Sequence, residues 1–401
     1  MIAAIGHSHD LDSADAIAEA LAACAATLGG KTPHAGLLFA GIDHDHQALL
    51  DGVEARYPGV QLIGCTTHGE LSSEGFAEDS VALMLFHSER VQFRAGIGEG
   101  TRTDQAAARR AASMALDGLD APARLCIALP EGIGGVDADS PCTLPIGLLD
   151  ALGAALGPDV LVCGGLAADQ MRFSATYQFC NGQVYTDAIP ILLAAGPLHV
   201  ATGVASGWEP IGEEHRLTNV DGLVISGIDG EPPRDVWKHF FGVDNHPGAP
   251  NFFAVYPDED GRRETDEYYL CSPSRFQDDG SMVTMTPSTP GARIRFTSAT
   301  RDQLLAGAAS SAEKARASYP GGEPEAALVF SCASRPALLG TRVGGEAGRL
   351  QEQIGAALPA VGFYTYGEIC PLPSSSKPVH HVSTFVTVLI GEDEGLIGED
   401  S

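Results

Sequence analysis

The sequence predicts an α/β fold in which repeated strand–helix–strand–glycine-turn–strand units form layered mixed sheets, with a β-rich middle section in the C-terminal half. Three observations predict it. Apolar runs alternate with helical patterns, as in sheets whose central strands are buried on both faces. A turn rich in glycine recurs after such runs. Between residues 200 and 296 the rhythm gives way to short strand-like runs separated by Gly, Pro and Asp clusters.

Met1–Gly6 reads as a strand and Ser13–Leu28 as an Ala-rich amphipathic helix, with Asp12 or Ser13 as its N-cap. Gly36–Gly41 is a second strand, His46–Arg56 a helix, Val60–Cys65 a third strand and Ser80–Phe86 a fourth. The same order returns near the C-terminus. Ala327–Cys332 leads through a helix to Gly362–Ile369, and the strand Thr384–Ile390 follows. Aligned without gaps, Gly64, Thr67, Gly69 and Glu70 fall on Gly362, Thr365, Gly367 and Glu368. A looser copy lies between them: strand Leu125–Leu129, helix Cys142–Leu156, strand end Leu161–Leu166 and strand Ile189–Ala195. Three copies in one order point to an ancient duplication.

Within the β-rich section, Pro233–Gly242 is the exception, a short helix with Pro at its start and Gly at its stop. The apolar run ends near Gly212–His215, which sets an expected boundary between an α/β domain over 1–213 and a second over 214–391. Residues 392–401 read as a frayed acidic tail.

Charge narrows the function classes. Twenty-four Lys+Arg stand against 52 Asp+Glu, a net charge of −28, which repels phosphate backbones and anionic lipid heads. Neither nucleic acid nor a membrane is expected as a partner. The most apolar stretch, Ala188–Ala205, is interrupted by prolines and glycines and reads as two buried strands, not a membrane span. The first residues carry no basic signal region, and nine scattered cysteines form no C-x-x-C pair. Together they lead to the expectation of a cytoplasmic protein with reduced thiols.

Chemistry-bearing residues fall into four groups. Thr67 and Glu70, and Tyr366 and Glu368, sit at the repeated glycine turn, where an α/β sheet commonly forms its ligand crevice. The same carboxylates could instead cap backbone N–H groups and hold the turn. His7, His9 and Asp10, with Asp43, His44 and His46, lie past two strands. Alternate residues of an extended segment could present paired imidazoles to a metal, or the group could be solvated loop residues. His239 stands in a helix with Trp237, Phe240 and Phe241, the surroundings an axial haem ligand requires, or those of a half-buried helix end. Cys370-Pro371 is a weak haem-regulatory pattern; a buried thiol is the default. No phosphate loop and no G-x-S-x-G elbow occurs, and no carboxylate pair is marked as acid and base, so no enzyme is expected.

Leu62–Leu71 with Gly75–Ser80, Gly203–Gly212 with its Trp208-Glu209-Pro210, Asp221-Gly222 with Ile228–Gly230, and Gly362–Glu368 followed by His381 resemble the FIST family. The resemblance runs from about residue 2 to residue 391. It implies a signal-input module that binds a small ligand and reports it to a signalling partner. A stand-alone chain of this length resembles the NosP group, which implies haem as cofactor, nitric oxide as diatomic ligand, and a separate histidine kinase or cyclic-di-GMP enzyme as partner. A homodimer is compatible with this. The resemblance fixes no axial ligand; physical grounds order the candidates His239, His381 and His68. His68 departs from the family, where a small or acidic residue is expected. Two alternatives stay open: a haem-free FIST sensor of a small metabolite such as an amino acid, and a metal-dependent hydrolase using His7, His9, Asp10, His44 and His46.

Overall fold

The computed structural model describes residues 1–134, 142, 144–242, 251–257 and 267–393. Three repeats are present. The first comprises β1 (Ile2–Ser8), α1 (Ser13–Leu28), β2 (Ala35–Ala40), α2 (His46–Arg56), β3 (Gln61–Thr66), the hairpin β4 (Glu70–Ser72) and β5 (Gly75–Ala77), and β6 (Val81–His87). The second comprises β7 (Gln92–Glu99), α3 (Ala106–Leu116), β8 (Ala123–Ala128), α4 (Leu148–Leu156), β9 (Leu161–Gly165), the hairpin β10 (Gln178–Cys180) and β11 (Gln183–Tyr185), and β12 (Ala188–Ala195).

The third opens with β13 (Leu198–Ala205) and is then interrupted. The insertion holds β14 (Glu209–Asp221), β15 (Val224–Ile228), α5 (Pro233–Phe241), β16 (Phe253–Tyr256), β17 (Tyr269–Cys271), β18 (Pro273–Phe276), β19 (Met282–Thr284) and β20 (Arg293–Ser298). The repeat resumes with α6 (Arg301–Ser318), β21 (Ala326–Cys332), α7 (Ser334–Leu339), α8 (Gly345–Ile354) and β22 (Ala360–Thr365). The hairpin β23 (Glu368–Pro371) and β24 (Pro378–His381), then β25 (Phe385–Glu392), complete it.

Each repeat builds a four-stranded sheet and sends its hairpin to another repeat. The orders are β1-β6-β2-β3-β10-β11, β7-β12-β8-β9-β23-β24 and β13-β25-β21-β22-β4-β5. The first sheet thus receives its edge from the second repeat, the second from the third, and the third from the first. The exchange closes on itself. In each sheet the second and third strands of the repeat pair in parallel and the other pairs are antiparallel, so the sheets are mixed.

The inner faces of the three sheets share one core, in which Phe39 meets Phe363 at a ring distance of 4.6 Å and Phe330 packs edge-on to Phe363. Separate cores lie under the helices on the outer faces: α1 and α2, α3 and α4, and α6 and α8. A glycine at one matched position of the first strand of each repeat lets a helix backbone touch the sheet. A Cβ at Gly6, Gly96 or Gly203 would collide with the carbonyl oxygen of Ala20, Ala111 or Ser311. The insertion folds into a seven-stranded sheet with its own core around Trp237.

The expected strands and the helices at Ser13–Leu28 and His46–Arg56 are present, and Asp12 caps α1 by accepting from Ala14 and Asp15 N–H. The helix expected from Cys142 starts only at Leu148, because Pro145 and left-handed Gly147 (φ 81°) hold the approach in turns. The boundary expected at 213 falls inside β14, an unbroken strand from Glu209 to Asp221. Of the expected tail, Glu392 still belongs to β25 and residues 394–401 lie outside the described residues. No helix among the described residues is long and apolar enough to cross a membrane.

Candidate functional site

The glycine turns lead into the exchanged hairpins, and the first residue of each hairpin is a fully buried Glu70, Gln178 or Glu368. Each accepts a backbone N–H from a residue at or just before the start of the repeat's last strand: Ser80 at 3.2 Å, Ala188 at 3.3 Å and Thr384 at 2.9 Å. The residue just before each donor, Asp79, Asp187 or Ser383, is left-handed with φ of 52°, 51° and 56°. Three equivalent latches therefore fasten each hairpin to its own repeat across a strained turn. Glu70 also accepts from the Ser80 and Thr67 hydroxyls, and Glu368 from the Thr384 hydroxyl. Burial outweighs these bonds and pushes the Glu70 carboxyl up to about 7 and that of Glu368 up to about 8.

The third latch borders a large cavity. Thr384, above Glu368, forms part of the wall of a space of about 580 Å³ where the inserted sheet meets the body. One wall is the bend Ser206-Gly207-Trp208-Glu209 at the end of β13; opposite lie Glu267, Tyr268 and Leu270. Helix α6 supplies Gln303, Ala306, Gly307, Ser310 and Lys314, and the β23–β24 turn supplies Leu372 and Pro373. A Cβ on Gly207 (φ 81°) would collide with the Gln303 carbonyl of α6, and one on Gly307 with the Gly207 nitrogen, so the bend lies directly on the helix.

Hydrogen bonds hold the walls in place. Trp208 Nε1 donates to Ser383 Oγ at 2.9 Å, and Tyr268 Oη donates to the Trp208 carbonyl at 2.6 Å. Beneath them Arg335, fully buried, donates to the carbonyls of Ser206 (2.7 Å), Ser383 (3.2 Å) and Leu304 (2.7 Å). Its charge is met by Glu346 at 2.6 Å, itself fully buried and bonded to Tyr364 Oη at 2.5 Å. One guanidinium thus ties the bend, the latch turn and helix α6 together. Across the mouth, Glu267 accepts from Ser374 N and Oγ, linking the insertion to the β23–β24 turn. The exposed Lys314 ammonium lies against the Val204 carbonyl at 3.1 Å.

The residues singled out from sequence do not form one site. Glu368 and His381 are cross-strand neighbours, but the His381 imidazole is fully buried and its Nε2 bonds the Cys370 carbonyl at 2.9 Å. Tyr366 bonds Asp169 through its hydroxyl and stacks on Phe173 at 5.2 Å. Thr67 and Glu70 belong to the first latch, and His68 beside them is half-buried with Nδ1 unpartnered. Trp237, Phe240 and Phe241 pack inward against Phe296, whereas His239 turns out to solvent, because a helix places neighbouring residues on different faces. The aromatic surroundings expected for His239 are therefore the insertion's core. Of the cavity residues, Trp208 and Glu209 lie in a block already noted in sequence; Arg335, Tyr268 and Lys314 carried no signal there.

Haem requires an apolar slot with an imidazole or thiolate at its wall. The 580 Å³ cavity has neither among its lining residues; of the three histidines proposed, His381 is fully buried and bonded, His239 is exposed, and His68 keeps a half-buried ring with Nδ1 unpartnered. Among the described residues no group of three His, Cys, Asp or Glu could hold a metal ion: His7 bonds Ser72 and Ser80, His44 bonds Ser13, and His46 bonds the Gly41 carbonyl.

Known proteins share this sequence pattern. An uncharacterized protein of Mycobacterium tuberculosis is 26% identical, covering 92% of this chain and 94% of its own. An uncharacterized protein of Mycobacterium bovis is 24% identical over 96% and 97%. One from Methanocaldococcus jannaschii is 25% identical over 52% of this chain and 43% of its own. The crystal structure of cyanuric acid hydrolase from A. caulinodans aligns over 98% of the chain at 12% identity and a TM-score of 0.35, too low to support a conclusion. The FIST N domain matches residues 34–231 and the FIST C domain residues 226–371, so the Trp208 bend lies in the first and the facing Tyr268 wall in the second. The chain carries a FIST N domain and a FIST C domain in tandem, the pairing of a sensory, signal-transducing protein.

Proposed function

We propose that this protein is a signal-input module whose ligand is a small zwitterionic metabolite of amino-acid size, held in the 580 Å³ cavity. The observation that carries the reading is the lining. Glu209 and Glu267 offer carboxylates to an ammonium, Lys314 offers its ammonium to a carboxylate, and Trp208 and Tyr268 offer aromatic surface to a side chain. The cavity joins the inserted sheet to the three-repeat body, so an occupant touching both biases how they sit together. A separate histidine kinase or cyclic-di-GMP enzyme then reads that change, in the cytoplasm and without turnover by this chain. Sensing of nitric oxide through haem has the NosP resemblance as its support, and the 580 Å³ cavity has no imidazole or thiolate among its lining residues.

Isothermal titration with the twenty L-amino acids tests the reading. At least one should bind, and Lys314→Glu should weaken it by tenfold or more while the melting temperature stays near wild type. Binding unchanged by Lys314→Glu and by Trp208→Ala would place the ligand elsewhere. No binding, together with a Soret band that shifts when nitric oxide is added to the reduced, haem-supplied protein, would transfer the function to haem.

A further inference from the structure

A second cavity, of about 200 Å³, lies on another side of the insertion, between β24, the turn before α4 and the loop after β19. Its wall includes His380, which is only 5% exposed and has neither ring nitrogen in a hydrogen bond. The Met285 carbonyl faces the ring without reaching hydrogen-bond geometry. Thr286, on the same wall, has a buried hydroxyl that is likewise unpartnered. Buried polar atoms in folded proteins nearly always find a partner. His380 Nε2 lies against Gly367, which leaves Nδ1 and the Thr286 hydroxyl as two unpartnered polar atoms on residues of one cavity, a place where a partner arrives from outside.

The rest of the wall says what that partner is. Ile146, Leu149, Pro287 and Val379 make it apolar, and the space holds a molecule well below drug size. Burial keeps the His380 imidazole neutral, its pKa lowered to about 3, so the ring presents one donor and one acceptor and no charge. Gly367 backs the ring: a Cβ there would collide with Nε2, so the turn glycine is what lets the imidazole lie where it does.

We propose that this cavity is a second small-molecule site, taking a neutral molecule with a short apolar chain and a paired donor–acceptor head of the primary-carboxamide type. The amide carbonyl would accept from the Thr286 hydroxyl, and the amide N–H would donate to the free ring nitrogen. None of the groups that support the 580 Å³ cavity is used, so the two sites stand or fall separately.

The test is a titration of isobutyramide into the full chain labelled with ¹⁵N-histidine, read at the His380 ring nitrogens. The expected result is a saturable shift confined to His380, with about tenfold weaker binding in Thr286→Val, which keeps the shape and removes the hydroxyl. Gly367→Ala, which displaces the ring, should abolish the shift. Resonances that do not move would overturn the proposal. So would an equal response in Thr286→Val, or a crystal structure in which water bridges His380 and Thr286 and isobutyramide does not displace it.

Discussion

Glu368 is buried where Gln178 stands in the second repeat, so the molecule already contains the neutral version of the same latch. The difference has a pH signature. Above about pH 4.5 the unfolded chain has released the Glu368 proton, while the folded protein keeps it up to about pH 8. The native state binds more protons in that window, so stability falls as pH rises through it. Glu368→Gln removes this cost: unfolding at pH 8 should be harder by up to about 4 kcal/mol, with little change near pH 4. A denaturant melt at the two pH values checks it, and equal effects at both would show that the fold does not raise the Glu368 pKa. The turn carboxylates were visible in sequence as either caps or ligand groups, and the geometry makes both of them caps. Which of them borders a cavity was not visible, because that depends on where the insertion docks. Arg335 was silent for the same reason, since its three carbonyl partners come from segments up to 129 residues away.

At the level of elements, the strands and helices were legible because their apolar periodicity is local. The partners of the short hairpins were not, since β4–β5, β10–β11 and β23–β24 are too short to signal which sheet they join. The glycines of the first strands carry a sharper consequence. Gly203 lies where the Ser311 carbonyl of α6 touches the sheet, and Ser311 Oγ returns a bond to the Gly203 carbonyl at 2.8 Å. Gly203→Ala should push α6 off β13 and destabilise the fold by about 3 kcal/mol, with loss of ligand binding, because the same helix floors the cavity. Gly59, a left-handed glycine with open space around it, is the control. There Ala meets no clash and its cost should be limited to the strain of the turn, about 1 kcal/mol. Equal losses at the two positions would refute the close-approach account.

For the whole molecule, the closed hairpin exchange means that no sheet is completed by its own repeat. A fragment of residues 1–213 leaves β4–β5 without β22 and leaves β9 without β23. It should be aggregation-prone alone and be rescued by co-expression with 214–401, because exposed sheet edges seek partners. A soluble fragment with native-like amide protection would contradict the interlocked fold. The duplication was readable from glycine turns at matching spacings, whereas the ring closure is a property of the assembled chain alone. A thermal melt against the twenty common amino acids probes whether the junction of insertion and body receives a small zwitterion. At least one should raise the melting temperature in the wild type and not in a Trp208→Ala, Lys314→Glu double variant. A melt unmoved by all twenty, or moved equally in the double variant, would contradict it.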